Sequence, residues 1–202
     1  MNVKPEVSNF FEYVRELDCC NYSHDSIQAM VADLFARTKS DIEKAKIAFE
    51  FVRDEIDHSW DIQATDVTYH ASEVLEKKHG MCFAKSNLLA ALLRGIGIPT
   101  GFCYQRLMLF DTPEEGYSLH GFNAVYLQSL ARWIRIDARG NKPGVQAELS
   151  LDEEKLAFPV RREYGEQDDP IIYARPHARV VAALKGSNNL IELYRNDLPD
   201  EL

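Results

Sequence analysis

Residues 71–107 read ASEVLEKKHGMCFAKSNLLAALLRGIGIPTGFCYQRL, and the order of events in this stretch decides the fold. Ser72 opens a short helical run, SEVLEKK, which His79-Gly80 breaks. From Cys82 to about Arg94 the chain is a long apolar helix, and Gly95, Gly97 and Pro99 supply the expected stop chemistry. The period then changes: Gly101 to Phe110, GFCYQRLMLF, reads as a strand.

Upstream the pattern is helical. Ser23 precedes Ile27, Met30, Val31, Leu34 and Phe35, apolar residues at spacings of three and four. Ser40 with Glu43 makes a capping box before a helix that presents Ile42, Ala45, Phe49, Val52 and Ile56. A looser stretch covers 57–70. Downstream, Gly121–Leu127 and Trp133–Asp137 read as two strands of an antiparallel hairpin turning at Gln128–Arg132. From Gly140 the chain is turn-rich, with a helical or strand piece around Ala178–Leu184 and Leu190–Tyr194; the acidic run at 152–155 reads as a solvated helix start. Helices first and an antiparallel sheet after them make the fold class α+β. We expect one domain over 1–202, with its core at about 40–140 and residues 141–202 as an extension packing on that core.

The 202 residues are 46% apolar and 27% charged, enough to bury a full core. A net charge of −9 repels nucleic acid phosphates and disfavours anionic membranes, and the basic residues cluster only in pairs. We therefore expect no nucleic-acid or membrane partner. The opening MNVKPEVSNFFEYVREL lacks the apolar core of an export signal, and four cysteines without such a signal suit a reducing, cytoplasmic setting. Cys19 and Cys20 are adjacent, so one is expected to be buried and the other partly exposed.

One cysteine has a setting that suggests chemistry. A nucleophilic thiol is activated at a helix N-terminus or beside an imidazolium, and Cys82 begins the longest apolar helix, where unpaired N–H groups point at its sulfur. A base oriented by a third group is the usual partner. His120 opens one strand and Asp137 closes the next, so a hairpin brings them together if the register puts them on one face. Taken singly, such a Cys is usually core, such a His a surface residue and such an Asp a turn former. The ordered combination favours the triad Cys82, His120 and Asp137.

These residues resemble the transglutaminase-like superfamily. The match lies in Gly80-x-Cys82, an apolar helix ending in Leu93-Arg94 and Gly97-Ile98-Pro99, then His120 and the Trp133–Asp137 strand, over roughly residues 50–140. The spacings, 38 residues from Cys82 to His120 and 17 from His120 to Asp137, suit that family. The resemblance implies a papain-like core and an acyl mechanism: thiolate attack on an amide or ester carbonyl, then release to water or an amine. It requires no cofactor or metal. It departs at Gly121, where many members place an aromatic such as Trp.

The backbone N–H of Cys82 is one natural oxyanion donor. Trp60 and Gln63 are candidates for the second, although Trp60 is more simply a core aromatic. His58, His70 and His79 have no trusted metal-ligand spacing and read as satisfied or exposed. Arg139–Lys142 either shapes the site's rim or forms an ordinary turn, and Ser86 and Asn87 either line the cleft or face solvent. The leading function is a thiol amide hydrolase or acyltransferase acting on a peptide, protein or small amide. An arylamine N-acetyltransferase-like reaction and a non-catalytic peptide-binding module on the same fold stay open.

Overall fold

The computed structural model describes residues 3–202; Met1 and Asn2, the start of the segment read as carrying no export signal, lie outside the described residues. Strand β1 (Lys4–Pro5) comes first, followed by helix α1 (Asp25–Phe35) on the Ile27–Phe35 pattern. Its cap is His24, whose Nδ1 accepts from the Ser26 amide, because Ser23 is engaged by the Glu16 carboxylate through both its amide and its hydroxyl. Ser40 does cap α2 (Asp41–Glu55), accepting from the Glu43 amide, while the Glu43 carboxylate turns to the Thr38 hydroxyl.

The loose stretch contains a strand, β2 (Asp57–His58). Helix α3 (Ala71–Lys77) follows, opened by His70 and not by Ser72: the Glu73 carboxylate accepts from the Tyr69 and His70 amides. Lys78 ends the helix in the left-handed region, and the His79–Gly80 break is itself a strand, β3, parallel to β2.

Helix α4 (Cys82–Arg94) is buried on every side. Leu88, Leu89, Leu92 and Leu93 are wholly enclosed, each worth about 1.5–3 kcal/mol of burial. Its polar residues are buried too, so each finds a backbone acceptor. Lys85 Nζ donates to Ile56 O, Ser86 Oγ to Cys82 O at 2.8 Å, Asn87 Nδ2 to Tyr69 O at 2.9 Å and Arg94 Nε to Thr100 O at 3.0 Å. Ser86 and Asn87 thus neither line the cleft nor face solvent.

Four strands form the main sheet: β4 (Thr100–Met108), β5 (Tyr117–Leu127), β6 (Arg132–Ile136) and β7 (Gln167–Asp168), antiparallel in the order β6-β5-β4-β7. β4 stops before Phe110 because Leu109–Asp111 turns, with Phe110 and Asp111 at positive φ. β5 starts earlier than Gly121, since Tyr117 and Ser118 pair with Met108 and Leu107. His120 is therefore inside a strand and not at its start. Asn123 Nδ2 donates to Ser86 O at 3.2 Å and Gly101 O at 3.1 Å, tying α4 to the sheet.

The last third returns to this body. β8 (Ile171–Ile172) pairs in parallel with β1, α5 (Ala178–Gly186) presents Val180 and Leu184 to the core, and α6 (Leu190–Glu192) continues as a wider turn to Asp197. No helix forms at 152–155; Glu154 instead reaches the buried Arg135, which also pairs with Asp168. Cys19 and Cys20 are both buried, against expectation, under the α3–α4 core. Among the described residues no helix is long and apolar enough to cross a membrane.

Candidate active site

Met81 enters α4 in extended geometry without a side-chain cap, so Cys82 stands at a helix end whose first amides are left to whatever lies beside its sulfur. Cys82 is 7% exposed, at the floor of a cleft of about 520 Å³ that His120 and Phe158 also line. The other cysteines do not line this cleft; Cys103 is wholly buried, and burial pushes its thiol far up.

The sheet register explains how His120 meets Asp137. Asn123 pairs with Ile136, so one step further along each strand Phe122 and Asp137 share a face, and His120 is on that face too. His120 Nε2 lies 2.7 Å from Asp137 Oδ2. Two amides also donate to this carboxylate, Ala157 at 3.0 Å and Arg139 at 3.1 Å, and Asp137 is only 1% exposed. Burial would raise its pKa, but His120 and these amides hold it below the usual carboxylate range. Burial would likewise depress His120, yet the Asp137 charge and then the Cys82 sulfur raise it to about 10. With Nε2 on Asp137, Nδ1 is the ring nitrogen left to meet the Cys82 sulfur. Phe158 stands edge-on to the imidazole, ring centroids 5.1 Å apart, and limits its tilt.

Gly121 explains the departure from the family pattern. A Cβ there would lie 2.5 Å from Phe83 Cδ1, so the aromatic that fills this space comes from α4, one residue after Cys82.

Trp60 is half-buried and lines the cleft, its ring stacked on Tyr194 at 3.9 Å. Gln63 does not line it; its amide nitrogen donates to the Trp60 carbonyl at 2.5 Å. Arg139 and Lys142 both form the rim and both grip Asp61, whose pKa burial would raise but whose two cations bring it to about 2. His70 is half-buried and engaged by Glu73, and His79 is buried and engaged by Ser59 and Asp66. His58 is neither satisfied nor exposed: it is 7% exposed, lines the cleft, and has a buried Nδ1 without a partner among the described residues. Among those residues no three His, Cys, Asp or Glu are gathered to hold a metal.

Sequence reasoning missed the walls, Phe110, Phe158, Tyr194 and Leu198. No local pattern marks them, because they reach the cleft through turns and the returning last segment. That segment also completes the strand edge beside the site: the Leu119 amide, next to His120, donates to Pro199 O at 2.7 Å.

The family model described as the transglutaminase-like superfamily matches residues 28–138. Among solved structures, a candidate cysteine protease from Cytophaga hutchinsonii aligns with a TM-score of 0.54 and 16% identity, over 66% of this chain and 43% of that one. A TGase gives 0.42 at 17% identity (65% and 37% covered), and red sea bream transglutaminase 0.45 at 12% (67% and 29%). The chain spans less than half the length of each of these structures. No curated protein matches it in sequence. The first structural likeness carries the fold, an α+β transglutaminase-like core, and the family match covers more than half of the sequence with Cys82, His120 and Asp137 inside it. The chain belongs to the transglutaminase-like superfamily.

Proposed function

We propose that this protein is a thiol-dependent amide hydrolase or acyltransferase that works through an acyl-enzyme on Cys82. The observation that carries this reading is the placement of Cys82, at an uncapped helix start, in one cleft with a His120 already oriented by a buried Asp137. An imidazole raised to about 10 holds its proton near neutral pH and is the natural counterion for a thiolate.

In the proposed reaction the thiolate adds to an amide carbonyl and the C=O electron pair moves onto oxygen. Collapse breaks the C–N bond, and His120 gives its proton to the leaving amine. Water or a second amine then adds to the thioester carbonyl, His120 takes that nucleophile's proton, and the C–S bond breaks to return the thiolate. Asp137 keeps the ring in one tautomer throughout. Peptides, proteins or small amides are the proposed substrates. A coenzyme A donor is disfavoured because the basic rim residues Arg139, Lys142 and Arg161 are tied to Asp61, Asp111 and Glu166. All four cysteines are free, which suits a reducing compartment such as the cytoplasm. We read 141–202 as part of the same domain, since Tyr194 and Leu198 wall the cleft.

Site-resolved alkylation by iodoacetamide near neutral pH tests the reading. Cys82 should react faster than Cys19, Cys20 or Cys103 and lose that advantage in His120→Ala. A Cys82 no more reactive than Cys103 would sink the catalytic reading and leave a binding module.

A further inference from the structure

The proposed chemistry needs a second donor for the oxyanion, and the geometry points to His58 as that donor, through Nε2–H. This inference rests on the acyl-enzyme reading above.

His58 reaches the site by an unusual route. It sits in the two-residue strand β2, paired across to Gly80, two residues before Cys82. The ladder is pinned by Asp57 N–H to Lys78 O at 2.9 Å and Ser59 N–H to Gly80 O at 3.1 Å, so the ring is held against the start of α4 by backbone alone. Asp57 points to solvent and His58 inward, as strand alternation requires.

The tautomer follows from the ring's surroundings. Nδ1 is fully buried with no partner among the described residues, and what little of the side chain is accessible opens on the cleft that holds Cys82 and His120. A buried N–H without an acceptor is costlier and rarer than a buried lone pair without a donor. The proton therefore belongs on Nε2. Burial first, and the neighbouring Arg139 charge second, keep this imidazole well below its usual pKa and hence neutral. A neutral imidazole that donates without surrendering its proton suits a developing oxyanion. Nε2–H is thereby the ring's one donor, and the cleft holding Cys82 and His120 is where it finds an acceptor. Trp60, the other candidate, is stacked face to face on Tyr194 as a wall.

Two reactions of the same thiol separate this role from a structural one. Acylation of Cys82 by 4-nitrophenyl acetate passes through an oxyanion: the C–S bond forms, charge builds on the carbonyl oxygen, and nitrophenolate leaves. Alkylation by iodoacetamide displaces iodide at a saturated carbon and develops no oxyanion. We expect His58→Phe, which fills the space without a donor, to slow acylation by about a hundredfold or more while Cys82 alkylation stays within a few-fold. His58→Gln, which restores an N–H, should recover part of the loss, and Trp60→Phe, which removes the indole N–H, should leave the ratio of acylation to alkylation as in the wild type. Equal falls in both reactions for both His58 variants would assign a structural role and overturn the inference. Acylation unchanged in His58→Phe, or lost in Trp60→Phe instead, would overturn it too. In either case a wild type that still acylates leaves the acyl-enzyme reading standing. A wild type that never acylates removes both.

Discussion

Replacing Asp137 by asparagine keeps the side chain's volume and removes its charge, and the consequence follows from three hydrogen bonds. The carboxylate accepts from His120 Nε2 at 2.7 Å, the Ala157 amide at 3.0 Å and the Arg139 amide at 3.1 Å. An asparagine has one acceptor oxygen and presents an NH₂ group where a donor already stands, so a buried donor loses its partner. The larger effect is on His120. Its folded pKa lies above the unfolded value, about 10 against 6.5, so its contribution is fully present below about pH 6.5 and is lost as pH rises through about 10. At about 1.4 kcal/mol per unit this sets a ceiling near 5 kcal/mol, and removing one partner of a buried ion pair costs about 3–5 kcal/mol. We expect Asp137→Asn to lose about 3 kcal/mol near neutral pH, with the gap to wild type narrowing toward pH 10. Lys85 titrates in the opposite sense over the same range, so the quantity to measure is the difference between the two proteins in urea unfolding at matched pH. Imidazole resonances followed by NMR would report His120 directly, and its titration should fall from near 10 in the wild type to about 6.5 or lower in the variant. If His120 titrates alike in both proteins, or the stability gap is flat with pH, the ion-pair account of the site is wrong.

Two further outcomes concern the packing beneath the cleft. Gly121→Ala places a methyl 2.5 Å from the Phe83 ring and should cost about 1–3 kcal/mol, part of which Phe83→Leu in the same chain recovers; strictly additive denaturant midpoints would show that the two do not touch. Lys85→Met removes a buried cation whose pKa burial, then Arg139, pushes down to about 7. Because the unfolded chain holds this proton up to about pH 10.5 and the folded one does not, wild-type stability rises with pH through that window. The variant's stability relative to wild type should fall steadily over the same range, and a constant difference would mean that Lys85 carries no burial penalty.

Much of this molecule was legible along the chain. Helix α4 announces itself by its apolar run and its Gly-Pro stop, and the three main strands by their change of period, because both signals are local. The pairing of His120 with Asp137 was legible for the same reason: neighbouring strands of one hairpin bring the two side chains together. Boundaries were less readable. His24 and His70 open helices where Ser23 and Ser72 were expected, since side chains from elsewhere, Glu16 and Asn21, had already engaged those serines.

What the sequence by itself determined is the α+β order and the hairpin that sets His120 beside Asp137. What only the tertiary structure decided is everything that depends on long-range return. The rim of Arg139 and Lys142 is stabilised by Asp61, some eighty residues away. The walls of Phe158, Tyr194 and Leu198 arrive from a turn-rich third with no periodicity to read. His58 read as a satisfied or exposed histidine until the β2–β3 pairing buried it beside Gly80. The physical reason is common to all of them. Periodicity records which face of an element is buried, whereas a cleft is lined by whatever side chains the packing of those elements leaves at its edge.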